Sequence, residues 1–353
     1  MLLRLLLMRG GSAHTSRGAL LARHTRSRST TRLSSFAPDD PSAMPVAPGN
    51  FTKEFFIPPY NSPLPLETIN AHPLDVNIEF DEASHSYFWG GQKVQRSVTE
   101  LVETFFGKFD PQRAIELMKG GRNWPRPEYS TKAGLPWSDQ AILDYWDRTG
   151  EFARNRGTWM HYNIERFLNG YAAAPGDELP EMKMFSDFFE QVILKQQITP
   201  FRTEWRVAAP EYGLAGSVDF VGRVSGEGGG YVLCDWKRSK KVGAAASSFS
   251  KKASPPIAHI EDTDMQKYFL QLNVYRHILK KHYLPPGTPV KMILASFYPA
   301  GPASKFVSID VPLLEAEVEA IVAESPAAAA KEVGGVVGGE GGAPRTQRIA
   351  RPL

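Results

Sequence analysis

Two aspartates and a lysine are spaced for chemistry on a charged substrate. Asp219 lies in Gly-Ser-Val-Asp-Phe-Val-Gly (216–222), among apolar neighbours, and Asp235 and Lys237 lie in Cys-Asp-Trp-Lys-Arg-Ser (234–239). In an extended strand alternate side chains share a face, so Asp235 and Lys237 point one way and Trp236 the other. If Asp219 pairs opposite Asp235, two carboxylates and an ammonium converge. Two buried carboxylates side by side repel each other, and an unpaired buried charge is penalised. A divalent cation between them removes both costs. Hard cations such as Mg2+ take oxygen ligands. They acidify water and neutralise the charge that develops on a phosphate under attack. Phosphodiester cleavage is the chemistry this pattern suits.

The elements that must hold these residues follow from hydrophobic periodicity. Residues 76–94 alternate around Gly90 and Gly91 and predict a hairpin. Residues 97–106 start a helix with Ser97 or Thr99 as its cap. Residues 157–169 predict a helix closed by Gly170, with Met160, Ile164, Phe167 and Leu168 as its apolar stripe. A second amphipathic helix covers 181–197. Three strands follow, at 201–210, 214–224 and 231–239, the last two joined by a glycine-rich turn at 226–230. Residues 238–262 read as a mobile Lys/Ser/Ala/Pro-rich loop. A helix over 263–283, a strand over 290–299 and a helix over 311–324 complete the order. Residues 110–150 mix helix signals with Trp, Pro and Gly and give no clear order. The succession describes an α/β domain with a central mixed sheet flanked by helices.

The chain has 353 residues, one cysteine (Cys234) and a formal charge of +3. One thiol excludes an internal disulfide, a Cys-rich zinc site and a four-cysteine iron–sulfur cluster. No stretch reaches the roughly 18–20 apolar residues of a membrane span, so no membrane is expected as a partner. The charge is unevenly placed. Residues 1–38 hold 7 arginines and no acid; removing these 7 from the 41 Lys and Arg leaves 34 against 38 acids, a net of −4. That leader, rich in Arg, Ser and Thr, has the composition of an organellar transit peptide, mitochondrial first with plastid as the alternative. Residues 39–75 read as a Pro-rich linker or arm. Residues 76–324 form the domain, with a hairpin and helical part at 76–150 and a core at 151–324. Residues 325–353 are a low-complexity tail expected to be disordered.

At this point the chain resembles a family. An Asp followed at a distance by Asp-x-Lys is the signature of the PD-(D/E)XK nucleases. Residues 157–165, with His161 and Glu165, resemble the Gly-x-x-x-His-x-x-x-Glu motif of their RecB-like branch. Glu204 in Thr-Glu-Trp lies on the preceding strand, where that branch often carries a Glu. Residues 271–275, with Gln271 and Tyr275, are similar to its Gln-x-x-x-Tyr helix. The likeness runs from about Asn77 to about Pro299 and extends to the mitochondrial genome-maintenance exonucleases with their protist and viral relatives. It implies a restriction-endonuclease-like core and Mg2+ or Mn2+ held by His161, Asp219, Asp235 and the backbone carbonyl of Trp236. Lys237 would orient or deprotonate water, or offset charge. Glu165 would steady His161 or a second cation, and Glu204 would join the catalytic set. Gln271 and Tyr275 would hold the site or touch the nucleic-acid backbone. The implied activity is exonucleolytic hydrolysis of single-stranded or flapped DNA in organellar DNA maintenance, with organellar replication proteins as further partners. The sequence departs from the pattern in two ways: Val218 replaces the usual Pro, and residues 226–230 lengthen the gap between the aspartates. No P-loop motif is present.

Other readings stay open. The enzyme could be a duplex-cutting endonuclease of viral or mobile-element descent, or the chain an inactive nucleic-acid-binding module. Glu204 could pair only with Arg202 or Arg206, and Gln271 with Tyr275 at a core edge. Arg238, Lys240 and Lys241, with Lys251 and Lys252, are either a solvated loop or a phosphate grip beside the site. Trp124, Trp137 and Trp146, near Arg122, Arg126 and Lys132, are either core residues or a stacking funnel for a single strand.

Overall fold

A computed structural model describes residues 64–170, 179–226, 229–243, 251–301 and 303–325. The leader, most of the Pro-rich arm, residues 171–178, 227–228, 244–250 and 302, and the tail from 326 lie outside the described residues.

The expected single hairpin is a three-stranded meander: β1 (Ile78–Asp81), β2 (Ser86–Trp89) and β3 (Gln92–Lys93), each pair antiparallel. The turn at Gly90 and Gly91 is one of its two; both glycines have positive φ, which a Cβ would oppose. The short β4 (Arg96–Ser97) leads into helix α2 (Val98–Glu103), which follows α1 (Leu66–Ile69) in the chain. Ser97 caps α2 through a reciprocal box with Glu100: Ser97 accepts from the Glu100 amide, and Glu100 accepts from the Ser97 amide.

After α3 (Pro111–Lys119) comes α4 (Asp139–Leu168), a 30-residue helix capped by Ser138. The sequence places its start at 157. The helix instead runs through Gly150 and Gly157, each costing about 1 kcal/mol against alanine. Burial of Ile142 in a satellite cluster with Ile115 and Trp137 holds its first half. Next come α5 (Pro180–Phe188), β5 (Ile198–Ala209), β6 (Leu214–Val224), β7 (Tyr231–Lys237), α6 (Asp264–Ile278), β8 (Val290–Ser296), β9 (Val307–Asp310) and α7 (Glu315–Ala323).

The main sheet is mixed. β6 pairs along one edge with β5, antiparallel. Its other edge takes β4 in parallel at Leu214–Ala215 and β7 antiparallel from Phe220 to Arg223. β8 then runs parallel to β7, and β9 antiparallel to β8. Helices cover both faces. Val232, Cys234 and Trp236 pack with Met160 and Ile164 of α4 and Phe185 and Phe188 of α5. Leu233 and Leu294 pack with α2, α6 and α7. The alternation expected for β7 is what divides its side chains between these two cores.

Two segments expected to be irregular are packed. Residues 64–75, the end of the expected arm, lie on β5: Asn70 donates to the Phe201 carbonyl, and Asp75 accepts from Arg202 at 2.7 Å and Trp205 at 3.0 Å. In the expected mobile loop, Ala253, Ile257 and Ile260 are buried in the main core, which corrects the loop reading for 251–262. Apolar residues spaced between prolines and lysines gave no periodic signal there.

Candidate functional site

Asp219 is the centre of the site, and the sheet register explains why. Phe220 pairs with Thr203 on β5 and with Cys234 on β7. One step along, Asp219 stands level with Glu204 on one side and Asp235 on the other. Three acidic residues thus form a row across three adjacent strands. Neither pair in this row is a ladder pair. Asp219 Oδ2 instead accepts the Trp236 amide at 2.7 Å.

Glu204 has φ +44° in the middle of a strand. A non-glycine residue held there costs on the order of 1–3 kcal/mol and persists where the surroundings enforce it. The twist leaves Glu204 Oε2 to accept from Ser217 Oγ at 3.1 Å, with Oε1 3.4 Å from His161 Nδ1.

His161 reaches the row from α4. Its Nε2 lies 3.1 Å from the Trp236 carbonyl. A carbonyl only accepts, so Nε2 carries the proton and Nδ1 faces the carboxylates. Nδ1 is 3.7 Å from Asp219 Oδ2. One ligand atom from each of His161, Glu204 and Asp219 lies within 4.8 Å of the other two. That donor set, two carboxylates and an imidazole with its far nitrogen fixed by a carbonyl, fits a divalent cation.

The electrostatics match the crowding. Burial disfavours a charged His161, yet Asp219 and Glu204 outweigh it and raise its pKa to about 9. Burial, then Asp235 and Glu204, push the Asp219 carboxyl up, against the pull of His161 and Lys237. Burial also works against the Lys237 ammonium, but Asp235 and Asp219 prevail and hold its pKa above the ordinary lysine value. Lys237 is therefore a firm cation.

Asp235, expected among the cation ligands, has a close partner of its own. Its Oδ2 lies 2.7 Å from Lys237 Nζ as an ion pair. Its partner is the lysine, and it stands outside the His161–Glu204–Asp219 group. The Trp236 carbonyl, expected as a cation ligand, faces His161 Nε2 and orients that ring. Glu165 is partly buried one turn beyond His161 and is also outside the group.

The supporting residues divide similarly. Tyr275 is buried, with its ring against Gly216: a Cβ there would meet the Tyr275 hydroxyl at 2.7 Å. Gln271, one turn before Tyr275 on the same helix, has its Nε2 3.4 Å from Thr99 Oγ1. Arg238 is tied to a buried acid through one of its nitrogens. Its Nε donates to Glu181 Oε1 at 2.7 Å, and Arg156 holds the other oxygen of that fully buried carboxylate at 2.8 Å. Lys241 pairs with Asp264 at 2.5 Å, and Lys240 is exposed. Of the three residues expected to form a grip, Lys240 alone has no ion pair among the described residues.

Three neighbours carry no motif in the sequence. Tyr87, from β2, has its pKa raised to about 12 by burial and by Glu204 and Asp219. Ser217 holds Glu204. Lys237 Nζ sits 4.8 Å above the Tyr268 ring. Tyr268 had a findable signal: it precedes Gln271 by three and Tyr275 by seven on one helix, hence on one face. Tyr87 reaches the site only through tertiary packing. No helix among the described residues is long and apolar enough to cross a membrane. Compared with models of known protein families and with curated proteins, the chain matches none.

Proposed function

We propose that this chain is a metal-dependent deoxyribonuclease with a restriction-endonuclease-like core of the PD-(D/E)XK type. The observation that carries the reading is the cluster of His161, Glu204 and Asp219 ligand atoms within 4.8 Å, beside the ion-paired Lys237. The order of β5, β6 and β7, then α6 crossing to a parallel β8, supports the core assignment. His161, Glu204 and Asp219 hold Mg2+ or Mn2+; the imidazole favours Mn2+ of the two. The cation supplies charge neutralisation at the phosphate and acidifies the attacking water. Lys237, paired with Asp235, orients that water. It stabilises the negative charge gathering on the phosphate oxygens. Asp235 positions Lys237, and the Trp236 carbonyl positions His161. Hydrolysis adds water across one P–O bond and leaves a phosphate end and a hydroxyl end.

The favoured substrate is a single-stranded or flapped DNA end. The favoured setting is the mitochondrion, with plastid as the alternative, on the composition of residues 1–38; organellar replication proteins are the partners that setting implies. The test uses end-labelled single strands and flaps with each end blocked in turn, plus a closed single-stranded circle, with and without Mg2+ or Mn2+. Wild type should cut linear strands only with metal and leave the circle intact. Asp219→Asn should bind strands without cutting them. A nicked circle would assign the endonuclease alternative. No cleavage of any substrate would favour a binding module.

A further inference from the structure

The helical part between α2 and α4 contributes nothing to the cluster above, yet it carries a groove of its own. Phe109, Leu117, Met118, Arg126, Tyr129 and Trp146 line a space of ≈ 410 Å³. Among these, Phe109 is 72% exposed and Leu117 63%. Large apolar side chains this exposed and adjacent mark a binding surface more often than isolated ones do. The Phe109 and Trp146 rings are 5.9 Å apart, and Trp146 is fixed by donating Nε1–H to the Tyr129 hydroxyl at 2.9 Å. Arg126 is exposed at the rim and forms no ion pair among the described residues.

Sequence spacing alone suggested Trp124, Trp137 and Trp146 as stacking residues. Of these, Trp137 is buried in the satellite core and Lys119 lies 5.6 Å over the Trp124 ring. Trp146 alone opens on the groove, joined by Phe109. Trp146 and His161 belong to one helix, α4. Fifteen residues separate them, about 22 Å along the axis and only about 60° around it. Groove and cluster therefore lie on similar sides of a single rigid rod, a few nucleotides of extended strand apart.

We propose that this groove is a base-binding subsite for single-stranded nucleic acid, resting on the nuclease reading above. A base lies against Phe109 and Trp146, and Arg126 takes the adjacent phosphate. Flat aromatic faces accept any base, so the subsite adds affinity and register without sequence preference. One guanidinium without a carboxylate partner is the charge complement that favours a nucleic acid over an apolar peptide.

The test is binding of a fluorescent oligothymidylate in EDTA, where cleavage is off, by wild type, Phe109→Ala and Arg126→Ala. Each variant should keep the wild-type melting temperature and lose about 5- to 20-fold in affinity. In parallel, 5-iodouracil placed at successive positions should photocrosslink to the segments holding Phe109 and Trp146. The crosslink should peak a few nucleotides from the cut. Equal affinity in all three proteins, or crosslinks only elsewhere, overturns the subsite. A dimer that Phe109→Ala dissolves assigns the face to a second copy and also overturns it. Absence of cleavage by wild type, with the affinity difference intact, removes the nuclease reading and leaves the subsite.

Discussion

Cation binding at the cluster should be coupled to proton release. Without a cation, His161 titrates at about 9, above its ordinary 6.5, and the Asp219 carboxyl is also raised. A cation needs His161 Nδ1 free of its proton. Each pH unit below about 9 should therefore raise the apparent Kd about tenfold, or about a hundredfold by pH 7, equivalent to about 2.7 kcal/mol. The ring is 29% exposed, so solvent screening makes this an upper figure. The sign for stability follows from the same shifts. A raised His161 pKa gives stability that is complete below 6.5 and lost as pH rises through about 9. Asp219, also raised, becomes more costly as an anion over the pH range above its ordinary value. The metal-free protein should thus melt at lower temperature at pH 9 than at pH 6, and Mn2+ should restore more stability at pH 9. Isothermal titration with Mn2+ from pH 6.5 to 9, in buffers of different ionisation enthalpy, counts the protons released. Between one and two protons per ion are expected near pH 7, one from His161 and a fraction from Asp219. Affinity independent of pH, with no proton released, would refute the reasoning.

Three further outcomes follow from the geometry. Lys237→Ala leaves the Asp235 carboxylate buried without its partner and should destabilise by about 3–5 kcal/mol in urea unfolding. Adding Asp235→Asn should restore most of that stability while cleavage stays absent. Gly216→Ala drives a Cβ to 2.7 Å from the Tyr275 hydroxyl and should cost about 1–3 kcal/mol; adding Tyr275→Phe should recover part of it in thermal melts. Glu204→Gly relieves a +44° φ and should raise stability by about 1 kcal/mol, while Mn2+ affinity falls in titration.

The sequence was most legible where one period ran unbroken. Alternation through 231–237 placed Asp235 and Lys237 together and sent Trp236 into the opposite core, as the β7 packing has it. Of the two expected caps, Ser97 starts α2; its box with Glu100 is a finding of the structure. Legibility failed where tertiary contacts overrode local signals. Gly157 reads as a helix start, but burial of Ile142 and a cap at Ser138 carry α4 a further 18 residues toward the amino terminus. Arg238 follows Lys237 in the chain and reads as part of a basic run; only the fold brings Glu181 and Arg156 to it. Glu204 shows the same limit. Its place level with Asp219 depends on the register of β5, where a bulge near Phe201 shifts the pairing by one residue.

The most direct measurement is an anomalous difference map from crystals grown with Mn2+. A single peak within about 2.5 Å of one atom each from His161, Glu204 and Asp219 is the predicted result. A map with those side chains in place and no peak among them would contradict the account.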